Sequence, residues 1–235
     1  MLDSEIQKKY YAETASEYDK MHIEGADEEH VFSLHLLLTF IKRYNIKSIL
    51  DVGAGTGRTI NFIRNNCPEV KIIGIEPVEE LRLQGHKKGI SKDILIDGDG
   101  NKIKYENGEF DLVCEFGVLH HVRYPEAVVG EMLRVSNKLI FISDSNNFGQ
   151  GSLLGRACKQ LIDFFGLWKA YNYFSTRGKM YHISEGDGLF YSYSVFNNYA
   201  QIQKACKLIH LVNTKDGGAN LYRTASHLAL IGVKA

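Results

Sequence analysis

The 235-residue sequence has no excess of either charge, since 28 Lys plus Arg stand against 28 Asp plus Glu. Without a net field to gather polyanions, a nucleic-acid partner is not expected. No run approaches the roughly 20 apolar residues that cross a bilayer. The opening segment, MLDSEIQKKYYAETASEYDK, is polar and amphipathic and lacks the apolar stretch of a signal peptide. The expectation is a cytoplasmic protein with no membrane partner. The four cysteines, Cys67, Cys114, Cys158 and Cys206, show no C-x-x-C spacing and read as buried, reduced thiols. H-x-x-x-H spacing and tight carboxylate clusters are also missing, so no metal is expected. Repeats, heptads and low-complexity tracts are absent as well, which sets aside solenoids and coiled coils.

What is present is a rhythm. Short β-rich runs at 47–52, 70–76, 92–97, 110–116 and 137–143 are separated by helical stretches or loops, the alternation of a parallel, doubly wound α/β sheet. Ahead of them, residues 27–44 place Val31, Phe32, Leu34, Leu37, Leu38 and Ile41 at helical spacing, with Asp27 as cap. After residue 143 come a glycine-containing turn, a helix near 153–168 and an aromatic segment. The rhythm resumes with a helix around 197–207, a run KLIHLVNT and a strand near 227–233. The chain therefore reads as one domain, 1–235. Within it lie an N-terminal helical cap (1–45), a ligand-binding core (46–144), an insertion or lid (145–195) and a C-terminal helix with strands (196–235). An insertion after the fifth strand sits beyond carboxyl strand ends, where open α/β sheets bind ligands.

The strongest motif is ILDVGAGTGRT, residues 49–59, in which a strand ends in Asp51 and is followed by Gly53, Gly55 and Gly57. Glycine suits a sharp turn whose backbone must approach a ligand. The G-x-G-x-G spacing differs from the G-x-G-x-x-G of dinucleotide sites, and no phosphate-binding lysine follows it, which disfavours NAD and a P-loop. Glu76, 19 positions after Gly57, stands where an acidic residue takes the hydroxyls of a ribose. In the following IDGDG, either Asp97 or Asp99 could accept from an adenine amine, with Gly98 and Gly100 admitting the ring. The fourth run, EFDLVCEFGVLHHV, leads through Glu115 and Phe116 to the pair His120 and His121.

D-x-G-x-G-x-G, an acidic end to the second run, G-D-x before FDLV, and VLHH-V with E-x-x-R-V together resemble the small-molecule class I S-adenosylmethionine-dependent methyltransferases (type 11-like) over about residues 10–144. That resemblance implies a Rossmann-like, mostly parallel sheet of about seven strands with helices on both faces. It also implies S-adenosylmethionine as cofactor and S-adenosylhomocysteine as product. By the same resemblance the glycine loop holds the methionine part, Glu76 the ribose and Asp99 the adenine, and Tyr18 of the A-x-x-YD segment closes over the cofactor. The cofactor set is then Tyr18, Asp51, Gly53, Ala54, Gly55, Gly57, Glu76, Pro77, Asp99, Gly100, Glu115 and Phe116. The sequence departs from the family at 136–138, where SNK replaces the usual Pro-Gly-Gly turn.

Methyl transfer from a sulfonium asks mainly for alignment and exclusion of water, while a hydroxyl acceptor must also lose a proton. Candidate catalytic residues on the rim are His120, His121 and Asp144, with Asn146 beside them and His182, Glu185 and Asp187 in the insertion. The aromatic residues Tyr171, Tyr173, Phe174, Tyr181, Phe190, Tyr191, Tyr193, Phe196 and Tyr199 suit a polar ring such as a sugar or nucleotide-linked sugar. Arg156, Lys169, Arg177 and Lys179 could meet a phosphate. The reading is O-methylation of such a small molecule by a monomer or homodimer. The alternatives are N-methylation of an amine, C-methylation of a quinone-like aromatic, or cofactor binding without transfer.

Overall fold

The computed structural model describes residues 3–22, 28–215 and 217–234. Helices α1 (Asp3–Thr14), α2 (Tyr18–His22) and α3 (Glu28–Arg43) precede β1 (Ser48–Val52). The chain then alternates through α4 (Arg58–Asn66), β2 (Lys71–Ile75), α5 (Glu79–Lys87), β3 (Leu95–Ile96), β4 (Phe110–Phe116), α6 (Pro125–Val135) and β5 (Ser136–Ser145). Next come α7 (Leu153–Phe164), α8 (Trp168–Ser175), the hairpin β6 (Tyr181–Ser184) and β7 (Gly188–Tyr191), α9 (Tyr199–Ala205), β8 (Leu208–Asn213) and β9 (His227–Val233). The cap assigned to Asp27 lies outside the described residues. The helix expected near 153–168 is two helices, broken at Gly166, whose φ of 70° ends α7.

Seven strands form one sheet in the order β3-β2-β1-β4-β5-β9-β8, parallel except that β9 runs antiparallel to both β5 and β8. The sheet is covered on both faces, so its strands alternate between two cores and hardly any of their residues reach water. Ile49, Leu112, Leu139 and Phe141 face the core under α3 and α4, while Leu50, Val113, Ile140 and Ile142 face the core under α6 and α9. In α3 the buried stripe is Leu34, Leu37 and Ile41, joined by Phe40; Val31 and Phe32, which the spacing placed on that face, are exposed.

Chain order reverses between β1 and β4, and at such a switch point the flanking loops part to leave a crevice beyond the strand ends. Where SNK replaces the family turn, α6 passes straight into β5. Lys234 Nζ donates to the carbonyls of Leu133 (2.8 Å) and Ser136 (2.6 Å), satisfying helix-end acceptors that a glycine turn would otherwise serve. Among the cysteines, Cys67 and Cys114 are buried and Cys206 is half-buried, but Cys158 stands exposed on α7, contrary to expectation. No described helix is long and apolar enough to cross a membrane.

Candidate active site

The carboxyl ends of β1, β2 and β4 surround a cavity of about 590 Å³ whose walls include Tyr18, Gly53, Gly55, Glu76, Pro77 and Phe116, with Asp99 and Gly100 at one end. Gly53 adopts φ 73°, and a Cβ there would meet Val118 Cγ2 at 2.5 Å, so only glycine permits this turn. Glu76 is buried, and its carboxylate accepts from the backbone N–H groups of Gly55 (3.0 Å) and Val78 (2.9 Å). Burial outweighs those bonds and pushes its pKa up to about 7. The geometry separates the two aspartates of IDGDG. Asp99 lines the cavity, its Oδ1 held by Asn101, whereas Asp97 pairs with Arg82 at 3.2 Å on the outside.

A small cleft continues from this cavity between Asp51, Ala54, Arg58, Thr59 and Tyr18. Asp51 is buried, its Oδ2 has no hydrogen-bond partner among the described residues, and burial raises its pKa to about 7. An orphaned buried acceptor beside a glycine cradle fits the ammonium end of an amino-acid moiety, just as Glu76 fits a diol. Tyr18 stands over the loop, its hydroxyl 3.2 Å from where a Gly55 Cβ would lie. Its neighbour Asp19 fastens it there, accepting from Thr56 Oγ1 at 2.7 Å and pairing with Lys88.

A second cavity, of about 790 Å³, shares Tyr11, Tyr18, Phe116, Gly117, His121 and Tyr191 with the first. Its outer walls include Trp168, Tyr171 and Asn172 from α8, Phe190 and Tyr193, and Lys159 from α7. The two histidines differ in state. His120 Nδ1 donates to Asp144 Oδ1 at 2.7 Å and its Nε2 lies 3.5 Å from Asp187. Burial alone would lower its pKa, but the two carboxylates outweigh it and hold the ring charged. Asp144, buried and bonded also to the Leu119 N–H (2.8 Å), is held down at about 2 by the same pairing despite its burial. His121 goes the other way, because burial and the adjacent His120 charge lower its pKa. Its Nδ1–H donates to the Leu189 carbonyl (2.7 Å), which leaves Nε2 as an acceptor 2.9 Å from the Tyr11 hydroxyl. His120, His121 and Asp187 bring three potential ligand atoms within 4.8 Å of one another. Here charged His120 faces Asp187 at 3.5 Å, while His121, whose pKa is lowered, lies beside the pair.

Comparison with known proteins bears on this arrangement. Residues 50–138 match the methyltransferase domain family. The match covers less than half of the chain and marks that segment as similar to a methyltransferase domain. The chain is 33% identical over 94 residues to norajmaline N-methyltransferase of Rauvolfia serpentina, covering 38% of this chain and 32% of that protein. It is 30% identical over 93 residues to demethylmenaquinone methyltransferase of Deinococcus radiodurans, covering 38% of each. The chain thus spans 32% and 38% of the length of these two curated relatives. Among solved structures, a Thermotoga maritima SAM-dependent methyltransferase, described as a possible histamine N-methyltransferase, superposes with a TM-score of 0.57 at 16% identity, over 97% of this chain and 99% of that one. That likeness is one of fold. Fold and family imply S-adenosylmethionine as the cofactor.

The cofactor positions read from the sequence divide by position. Gly57 lines neither cavity; its φ of 84° and the contact a Cβ would make with Ile90 Cδ1, at 2.1 Å, mark a residue that shapes the turn. Glu115 is fully buried beside it all, accepting from the Val118 N–H at 2.9 Å to brace the loop leading to the histidines. Asp144 lines neither cavity and is paired with His120. On the acceptor side Tyr171, Phe190, Tyr191 and Tyr193 line the larger cavity, but Tyr173 and Phe174 face solvent, and Phe196 and Tyr199 pack in the core under α6 and α9. Lys169, Arg177 and Lys179 are exposed and, like Arg156, stay off this cavity; Arg58 and Lys159 are the basic residues that line it. Sequence reasoning missed Gln7 and Tyr11. The Gln7 side chain, 3.1 Å from His121 Nδ1, accepts from the Leu189 N–H at 2.5 Å and so ties α1, His121 and β7 together. Helical spacing offered no sign that α1 reaches so distant a loop.

Proposed function

We propose that this chain transfers a methyl group from S-adenosylmethionine to a hydroxyl of a small, polar, ring-bearing acceptor held in the aromatic cavity, a sugar or nucleotide-linked sugar being the class that fits. The observation that carries this reading is the wall shared by the two cavities, with neutral His121 and Tyr11 standing in it. Bound S-adenosylmethionine supplies an electrophilic methyl on a sulfonium. Tyr18, Glu76, Asp51 and Asp99 bind and orient it, and the glycine loop lets the backbone close around it. The Trp168 and Tyr171 rings offer faces to the acceptor ring and exclude water. As the acceptor oxygen attacks, its proton is taken at the Tyr11 oxygen while the Tyr11 proton passes to His121 Nε2, 2.9 Å away. Asp187, 3.4 Å from that nitrogen, stabilises the resulting imidazolium. Nothing in this chemistry calls on a metal. Glu185, a further candidate, serves through its backbone, whose carbonyl accepts from Tyr10.

A second reading is N-methylation. It is supported by the relatives described as N-methyltransferases and by the Asp187 carboxylate, which would attract a cationic amine. Incubating the protein with methyl-labelled cofactor and separate pools of sugars, nucleotide sugars, amines and quinones decides between them. Label in the carbohydrate pools is the expected result. Label confined to amines or quinones overturns the hydroxyl assignment, and binding without label in any pool leaves a cofactor-binding protein.

A further inference from the structure

The helix α7 is inside out. Its apolar stripe, Leu153, Leu154, Leu161, Phe164 and Phe165, faces solvent, with Phe164 82% and Leu153 77% exposed, and none of its residues is buried. Its polar residues face the body instead. Lys159 Nζ donates to the Gln150 carbonyl at 2.9 Å, Gln160 Nε2 to the carbonyls of Phe148 (3.0 Å) and Arg223 (2.9 Å), and Asp163 accepts from the Tyr222 hydroxyl at 2.7 Å. An amphipathic helix packed by its polar side leaves its apolar side for something else to cover. Leu167, just before α8, and Tyr173 and Phe174 of α8 are exposed as well.

Charge indicates what covers it. The chain as a whole is neutral, yet between 153 and 179 stand Arg156, Lys159, Lys169, Arg177 and Lys179 against Asp163 alone, which is occupied by Tyr222. Lys169, Arg177 and Lys179, in the same segment as the apolar patch, are exposed. A second copy joined face to face about a two-fold axis would set these cations against their own equivalents with no free acid in the segment to pair them. Exposed Leu and Phe in a segment whose exposed charges are lysine and arginine match the interface of an anionic bilayer, where apolar side chains enter below the headgroups and bases meet the phosphates.

We propose that the α7–α8 hairpin docks this protein on anionic lipid membranes. The absence of a long apolar run, which set a membrane partner aside at the outset, excludes a spanning helix and leaves an interfacial one open. Trp168, Tyr171 and Asn172 of α8 line the acceptor cavity, so docking puts that cavity at the headgroup layer. If the transferase reading above is right, the acceptor is then a polar head carried on a lipid tail.

Co-sedimentation of the full chain with vesicles tests this, using phosphatidylcholine alone and phosphatidylcholine containing about a third phosphatidylglycerol. Binding to the anionic vesicles only is expected, weakened by salt. It should fall by roughly tenfold in Phe164→Ser/Phe165→Ser and also in Lys169→Glu/Arg177→Glu. Affinity for S-adenosylhomocysteine, measured on the same variants, reports that they fold and keeps a failure of docking distinct from a failure of the methyltransferase reading. Equal binding to both vesicle types overturns the proposal. So does absence of vesicle binding together with a dimer that Phe164→Ser/Phe165→Ser dissociates, or absence of vesicle binding by a monomer.

Discussion

The half proposed to bind the cofactor and the half proposed to bind the acceptor are held by different kinds of bond. Around the cofactor cavity the buried carboxylates Glu76 and Glu115 are anchored by backbone, while Tyr18 of α2 is held in place through the side chains of Asp19, Thr56 and Lys88. Glu76 is fixed by the N–H groups of Gly55 and Val78, and Glu115 by that of Val118, all at strand ends that the parallel sheet brings together. Around the acceptor cavity, anchoring is made by side chains from distant parts of the chain: Gln7 and Tyr11 from α1, His121 after β4, Asp187 between β6 and β7. Backbone-fixed sites follow from a motif, because spacing along the chain sets their geometry. Sites assembled from remote segments depend on how a particular insertion packs, which lets one fold accept different substrates.

The sharpest way to separate the halves is His121→Ala. The exchange should cut turnover by about 10²–10⁴-fold while leaving cofactor affinity unchanged, as read by single-turnover kinetics and titration calorimetry. Loss of cofactor affinity in that variant would join the halves that the comparison keeps apart. The reciprocal change is Glu76→Ala, which removes charge-assisted bonds of about 1.5–3 kcal/mol and should weaken S-adenosylhomocysteine binding by roughly 10–100-fold. Gly57→Ala tests the claim that this glycine serves the turn. At φ 84° and against Ile90, a Cβ should cost about 1–3 kcal/mol of stability in denaturant unfolding, with cofactor affinity altered far less than by Glu76→Ala.

Acidity supplies a subtler test confined to the cofactor half. Glu76 and Asp51 have pKa values raised by burial to about 7, above their ordinary carboxylate values, so each favours the folded state when protonated. Their contribution is fully present below the ordinary carboxylate range and is lost as pH rises through about 7. The free protein should therefore melt at a lower temperature at pH 8 than at pH 5. Cofactor affinity should move oppositely, improving as pH rises through about 7, because a diol and an ammonium both prefer the ionised carboxylates. Affinity that is flat across that range would remove Glu76 from the ribose contact. Smallest of all is the expected effect of a chelator, which should leave turnover unchanged; loss of activity would make His120, His121 and Asp187 a metal site.

The same contrast explains what could be read beforehand. The run FDLVCEF coincides with β4 and HLALIGV with β9, since strands covered on both faces are near-continuous apolar runs. KDILID shortens to the two residues of β3, because an edge strand with one neighbour pairs only where that neighbour extends. The glycine loop, Glu76 and Asp99 were legible for the reason that they are local. Asp187 was one acidic residue of an insertion until folding placed it between two imidazoles, and Gln7 lies 114 positions from the histidine it touches. The sequence placed a helix near 153–168, yet it carried no sign of which face meets the body.

The central claim, that the ordered set of Asp51, the glycine loop, Glu76 and Asp99 is a site for S-adenosylmethionine, is tested most directly by calorimetric titration of the protein with S-adenosylmethionine, S-adenosylhomocysteine and NADH. The account predicts saturable binding of the first two and none of NADH. Binding of NADH alone would contradict it.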